Sequence, residues 1–252
     1  MNKEIGIGIL DIYGQEDLES CYTSIPMELR ENVLVASATK NKMVNEKYKQ
    51  YGDVPMATLR NWIISQLRLN DFKYFFILNS NQIVDNPNIF EKTIKTAEVF
   101  GTWFMLGDGI KSLPLEDEES KETLYATPQL NSEFMFMLSN IISNVGYFDE
   151  RYFNTKDLDV LDYVIRLRKK GLYPPAHYNA TIGDGLKKTT NEIKKIGFKD
   201  FPSMERSVGL SYGYFMHNHK YIPGQNEPAG ITQEELLKFL ETLQKNYARS
   251  KL

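Results

Sequence analysis

"YFFILNSNQIVDNP", residues 74–87, decides how this chain is to be read. An apolar run stops at three small polar residues, Asn79-Ser80-Asn81, resumes briefly, and reaches Asp85 and the turn signal Asn86-Pro87. A short apolar run bounded by turn residues predicts a strand buried on both faces. In an α/β domain such a strand delivers its last side chains to the edge of the sheet, where ligands bind. Asn79, Asn81 and Asp85 thereby become candidates for a site.

The flanking sequence supports that setting. "EIGIGILDIY" (4–13) reads as a first strand whose glycines admit a close approach to the backbone, and "ENVLVASAT" (31–39) as a second. "FKYFFILNSN" (72–81) is the third and "TWFMLGDG" (102–109) the fourth. Helical rhythm separates them at 15–25, at 55–70 with Pro55 in the first turn, and at 86–101 with Gly101 as the stop. Strand and helix in alternation predict an α/β fold with a mostly parallel, Rossmann-like sheet covered on both faces.

The second half is less regular. Residues 113–122 read as an acidic loop or edge, and 128–146 as a helix of large apolar residues ended by Gly146. Residues 157–171 form a strong helical pattern opened by Asp157 and closed by Gly171. Beyond them the chain reads as loop and short helix until 232–250, where Thr232 and Glu235 make a capping box. The expected division is an α/β half over 1–125 and a second half with a helical C-terminal region over 126–252, in one compact domain.

Composition narrows the function classes. The 252 residues carry a net charge of -3, with no dense basic block, so nothing argues for nucleic acid. Basic pairs such as Lys187/Lys188 read as a solvated helix face. The single cysteine, Cys21, excludes an intrachain disulfide, and with no span of apolar residues long enough for a membrane the expected location is cytoplasmic. Fifteen Tyr and 14 Phe leave two readings open, a ring-filled core or a ring-lined cleft.

Three stretches together carry a resemblance: "LRNWIISQLRLNDFKYFFILNSNQIV", "NVGYFDERYFNTKDLDVLDYVIRLRKKG" and the opening strand with its helix. In order and approximate spacing they are similar to nucleotide-sugar-dependent glycosyltransferases of the GT-A fold, in particular family 2. The resemblance implies a nucleoside diphosphate sugar as donor, a hydroxyl acceptor and an inverting transfer. It matches Arg60-Asn61 to the family's Arg-Asn pair and Gly146-Tyr147-Phe148-Asp149-Glu150 to its Gly-x-Phe-Asp-Glu segment. Lys156-Asp157 falls on the Glu-Asp pair, with Asp157 as catalytic base, and His217 or His219 on a late histidine that touches metal or diphosphate.

Asn79-Ser80-Asn81 falls where the family holds a divalent metal (Mn²⁺ or Mg²⁺) in an Asp-x-Asp motif. Amide oxygens can ligate but bring no charge, so the metal motif is degenerate, and Asp85 is a single replacement oxygen or a turn residue before Asn86-Pro87. Weak metal binding is the expectation. Asp11 closes the first strand, and Thr39 and Asn41 follow the second, where the nucleotide would sit; Asp108 lies between two glycines after the fourth. Arg60 reaches a phosphate or pairs with a structural acid, and Asp157 is a base or merely a helix cap. Two imidazoles without a nearby cysteine do not make a zinc site. Two classes stay open: an active glycosyltransferase, and a catalytically inactive GT-A protein with a binding or structural role, for example in a phage assembly. Donor, acceptor and oligomeric state are not legible.

Overall fold

The computed structural model describes residues 2–13, 15–38, 47–51, 54–107, 113–127, 130–152, 157–173, 179–182, 185–189, 211, 214–219, 238 and 241. The chain opens with β1 (Ile5–Asp11), α1 (Gln15–Ser24), β2 (Val33–Ser37) and β3 (Tyr48–Gln50). Next come α2 (Met56–Leu69), β4 (Tyr74–Asn79), β5 (Gln82–Val84), α3 (Ile89–Phe100) and β6 (Phe104–Gly107). The second half supplies β7 (Leu113–Glu116), β8 (Thr123–Thr127), β9 (Phe134–Leu138), α4 (Ile141–Val145), α5 (Leu158–Lys169), β10 (Asn179–Ile182) and β11 (Leu186–Lys188).

Nine strands form one sheet in the order β3-β2-β1-β4-β9-β6-β10-β8-β7, and β5 pairs with β11 in a separate ribbon. The pairings make β3, β2, β1, β4, β6, β10 and β7 point one way, with β9 and β8 against them. This is the mostly parallel α/β sheet that the strand–helix alternation predicts. Every residue of β1, β2, β4, β6 and β9 is buried, as a sheet covered on both faces requires.

Glycines set how closely α2 seats on β1. A Cβ on Gly8 would stand 2.2 Å from Ile63 Cγ2, and one on Gly6 2.6 Å from Leu67 Cδ2. The close approach that the glycines of β1 admit is thus taken up by side chains of α2. At the far end of α3, Gly101 adopts φ 66° and its N–H closes on Ala97 O, a left-handed stop that only glycine takes without steric cost. The rings go to the core: Phe76 packs on Phe90 at 4.9 Å, Phe136 at 5.2 Å and Phe134 at 5.8 Å between centroids.

Two sequence readings change. The stretch 128–146 is not one helix: β9 occupies Phe134–Leu138, and only Ile141–Val145 is helical. "FMFML" is apolar at every position, and such a run fits a doubly buried strand as well as a buried helix. The region after 171 holds β10 and β11, so Lys187 and Lys188 sit on a strand and not on a helix face. The predicted helix over 232–250 lies outside the described residues except for Lys238 and Glu241, both helical. Among the described residues no helix is long and apolar enough to cross a membrane.

Candidate active site at the carboxyl edge of the sheet

Register places the strand ends side by side. β1 and β4 run parallel with Leu10 opposite Asn79, so Asp11 and Ser80 are the next residues out at the same edge. The Ser80 N–H donates to Leu10 O at 2.9 Å and locks that arrangement. Asp11 is fully buried and accepts from Ser37 Oγ at the end of β2, at 2.6 Å. Because β9 runs antiparallel to β4 with Leu78 opposite Phe134, the residue facing Asn79 is Glu133. The Asn79 N–H donates to Glu133 O at 2.8 Å.

Glu133 was hidden from the sequence reading by the helix assigned there. Recognising β9 as a strand would have found it, since the start of an antiparallel strand lies beside the end of its partner. Its carboxylate organises the neighbourhood of the amides. Gln82 Nε2 reaches Glu133 Oε2 at 3.2 Å and Asn81 Oδ1 at 3.3 Å, and Lys188 Nζ pairs with Glu133 Oε2 at 2.5 Å. The β5–β11 ribbon sets Lys188 opposite Gln82, and the Thr189 N–H donates to Asn81 O at 2.9 Å. Asn79 Oδ1, Ser80 Oγ and Thr189 Oγ1 are buried at this edge with no hydrogen-bond partner among the described residues.

Asp157 arrives at the same edge from the second half of the chain. It precedes α5 with φ 65° and ψ 2°, a left-handed conformation that Asp tolerates better than most residues. Its carbonyl accepts from the Leu161 N–H at 2.8 Å, but its side chain makes no capping bond to the helix. Instead Ser132 Oγ donates to Asp157 Oδ1. The plain helix-cap reading therefore fails for the carboxylate.

Arg60 stands behind this contact. It is buried in an ion pair with Asp159, and its Nη2 donates to Ser132 Oγ at 3.3 Å. Of the two roles open to it in the sequence, pairing with a structural acid is the one observed. Its neighbour Asn61 clamps the Gly-Tyr-Phe-Asp-Glu segment: Oδ1 accepts from Phe148 N, and Nδ2 donates to Phe148 O, both at 2.9 Å. Nδ2 also reaches Glu150 Oε1 at 2.8 Å. Asp149 is held by Arg151 and by Tyr214 OH at 3.0 Å; burial opposes its ionisation, yet these bonds keep its carboxyl below the usual range. These two sequence signatures thus brace α5 and the segment before it.

Tyr13 ties the edge together. Burial first, then the charge of Glu133, pushes its phenol up to about 12; Asp157 and Asp17 add to the rise, and a hydrogen bond from the Asn79 side chain opposes it. One ring thus senses the end of β4, the residue before β9 and the residue before α5.

Other candidates lie elsewhere. Asp85 pairs with Lys187 at 2.6 Å on the ribbon, half exposed. Residues 214–219 are helical, so His217 and His219 do not share a face as they would in a strand. His217 is exposed, while His219 Nε2 lies 2.9 Å from Asp162 Oδ1 on α5. Among the described residues no three or more His, Cys, Asp or Glu side chains are grouped to hold a metal. Thr39, Asn41, Asp108 and Lys156 lie outside the described residues.

No family model and no curated protein matches the chain. Solved structures similar to it include the catalytic domain of Drosophila beta-1,4-galactosyltransferase 7 in complex with xylobiose, at 12% identity and TM-score 0.49 over 81% of this chain and 79% of that one. A mutant of the same enzyme, in complex with manganese, UDP-Gal and xylobiose, aligns at 13% identity and TM-score 0.43, over 80% and 79%. Mannosyltransferase PcManGT from Pyrobaculum calidifontis, in complex with GDP-Man and Mn²⁺, aligns at 9% identity and TM-score 0.48, over 98% and 73%.

Proposed function

We propose that this chain is a glycosyltransferase that moves a sugar from a nucleoside diphosphate donor to a hydroxyl acceptor with inversion, Asp157 acting as general base. The observation that carries the reading is the position of the Asp157 carboxylate: it makes no capping bond to α5 and accepts from Ser132 Oγ, beside Glu133 at the sheet edge. A carboxylate at the carboxyl edge of a mostly parallel sheet is where an acceptor hydroxyl can be deprotonated. In the step itself the acceptor proton passes to Asp157, the hydroxyl oxygen bonds to the anomeric carbon, and the bond from that carbon to the diphosphate breaks. The nucleoside diphosphate leaves with the electron pair. The sheet edge at the ends of β1 and β2 is the proposed nucleotide side.

The test is Asp157→Asn in a donor-turnover assay. Donor binding should stay nearly intact while turnover falls about 10²–10⁴-fold, the usual worth of a positioned general base. Turnover that survives within about a factor of two would remove Asp157 as the base.

A second reading, a protein that retains the fold without the reaction, is favoured by one observation. Asp11, Asn79 and Asn81 are 0%, 5% and 7% exposed, with side-chain or backbone contacts already made. Under that reading no donor sugar is released or transferred in any assay.

A further inference from the structure

The strand end on the proposed donor side carries amides where a resident divalent ion needs carboxylates, and the carboxylate facing it, Glu133, is already paired with an ammonium. This donor set does not fit a resident Mg²⁺ or Mn²⁺. We infer that Lys188 is the built-in cation of this site, and that it takes the diphosphate of the donor without a metal ion. The inference rests on the nucleotide-sugar reading above and names the residue that answers the leaving-group charge.

Three features place Lys188 in this role. Its position is fixed by backbone and not by its flexible stem, because the β11–β5 register sets it opposite Gln82 and the next N–H is bonded to Asn81 O. Adjacent side chains on a strand point to opposite faces, which sends Lys187 to Asp85 and Lys188 to Glu133. Finally, the Lys188 side chain is 50% exposed while Glu133 is 9% exposed. An ammonium carries three donors, so one can stay on Glu133 while the others meet phosphate oxygens from the solvent side. Glu133 then acts as a positioning residue that holds the ammonium beside Asn81.

The neutral amides follow from this arrangement. Aspartates at 79 and 81 would add charges that compete with the diphosphate for Lys188 and attract a second cation, whereas asparagines add none beyond that of Glu133. Thus the departure at "NSN" and the lysine 107 positions after Asn81 become one device, since the two were joined only by folding.

The experiment is calorimetric titration of the full chain with UDP, GDP and TDP, each in EDTA and in Mn²⁺. Wild type should bind one of the three about equally under both conditions. Lys188→Met should weaken that binding about 10- to 100-fold in EDTA, the worth of a hydrogen bond to a charged group. Lys188→Arg should retain most of it, and Lys187→Met on the opposite face should leave it unchanged. Circular dichroism of each variant confirms the fold. Binding that EDTA abolishes in wild type, or that Lys188→Met leaves unaltered, overturns the inference while the nucleotide reading stands. Absence of binding to all three under both conditions overturns the nucleotide reading and the inference with it.

Discussion

The Asn79 N–H donates to Glu133 O at 2.8 Å, so a residue 54 positions later in the chain faces the end of the strand on which the metal motif would lie. That single pairing supplies the edge with a carboxylate its own strand lacks. It also puts Ser132, the residue before Glu133, within reach of Asp157. Under the proposed function, the placing of Asp157 and of Lys188 depends on the same stretch of chain entering β9.

Ser132→Ala tests the positioning half. It removes the donor to Asp157 and leaves Arg60 Nη2 without its hydroxyl partner. Turnover should fall about 10-fold or more, as expected for a hydrogen bond to a charged group, while donor affinity stays unchanged. A parallel loss of donor affinity would assign Ser132 to the donor site instead.

Arg60 and Asp159 form an ion pair whose two side chains are each only 2% exposed. Arg60→Met should destabilise the protein by about 3–5 kcal/mol, because it strands a buried carboxylate. The double variant Arg60→Met/Asp159→Leu should recover most of that loss, since no charge is then left unpaired. Urea denaturation of wild type, Arg60→Met, Asp159→Leu and the double variant gives the coupling; equal losses in Arg60→Met and the double variant would contradict a pairwise origin.

Gly8→Ala probes the seating of α2 on β1. The added Cβ would meet Ile63 Cγ2 at 2.2 Å, close to the helix backbone where a branched side chain has little freedom to move. A destabilisation of about 1–3 kcal/mol is expected, reduced when Ile63→Ala opens the space. If the two substitutions simply add, the contact is not the cause.

Tyr13 sets a pH dependence at the alkaline end. Its phenol is raised from the ordinary 10.0 to about 12, first by burial and then by Glu133, so the folded protein holds that proton more tightly than the unfolded chain. Below about pH 10 both states are protonated and the contribution is fully present. Between about pH 10 and about pH 12 the unfolded chain ionises first, and stability falls. Tyr13→Phe should remove this part of the alkaline decline, read from urea midpoints across that interval. An identical decline in both proteins would show that Tyr13 titrates normally.

Much of the first half was legible because its signals are local. Runs of Ile, Val and Phe ended by small polar residues gave β1, β2, β4 and β6; a helical apolar rhythm with Pro55 and Gly101 bounded α2 and α3. These patterns reflect burial on two faces or on one stripe, which a chain must encode residue by residue. The same logic delivered Asp11 and Asn79 to one edge, since parallel strands end at the same side of a sheet.

The partners of those residues were not legible, because an antiparallel insertion is a long-range event. Nothing in "NSEFMFML" says that it lies between β4 and β6, and its unbroken apolarity suits a helix equally well. Only tertiary pairing set Glu133 against Asn79, Lys188 opposite Gln82, Asp159 on Arg60, and Ser132 on Asp157. Sequence by itself determined that the ends of β1 and β4, with Asp11 and Asn79, stand at one edge of the sheet. The groups that meet them are distant in the chain, so the tertiary structure alone decided what each of them touches.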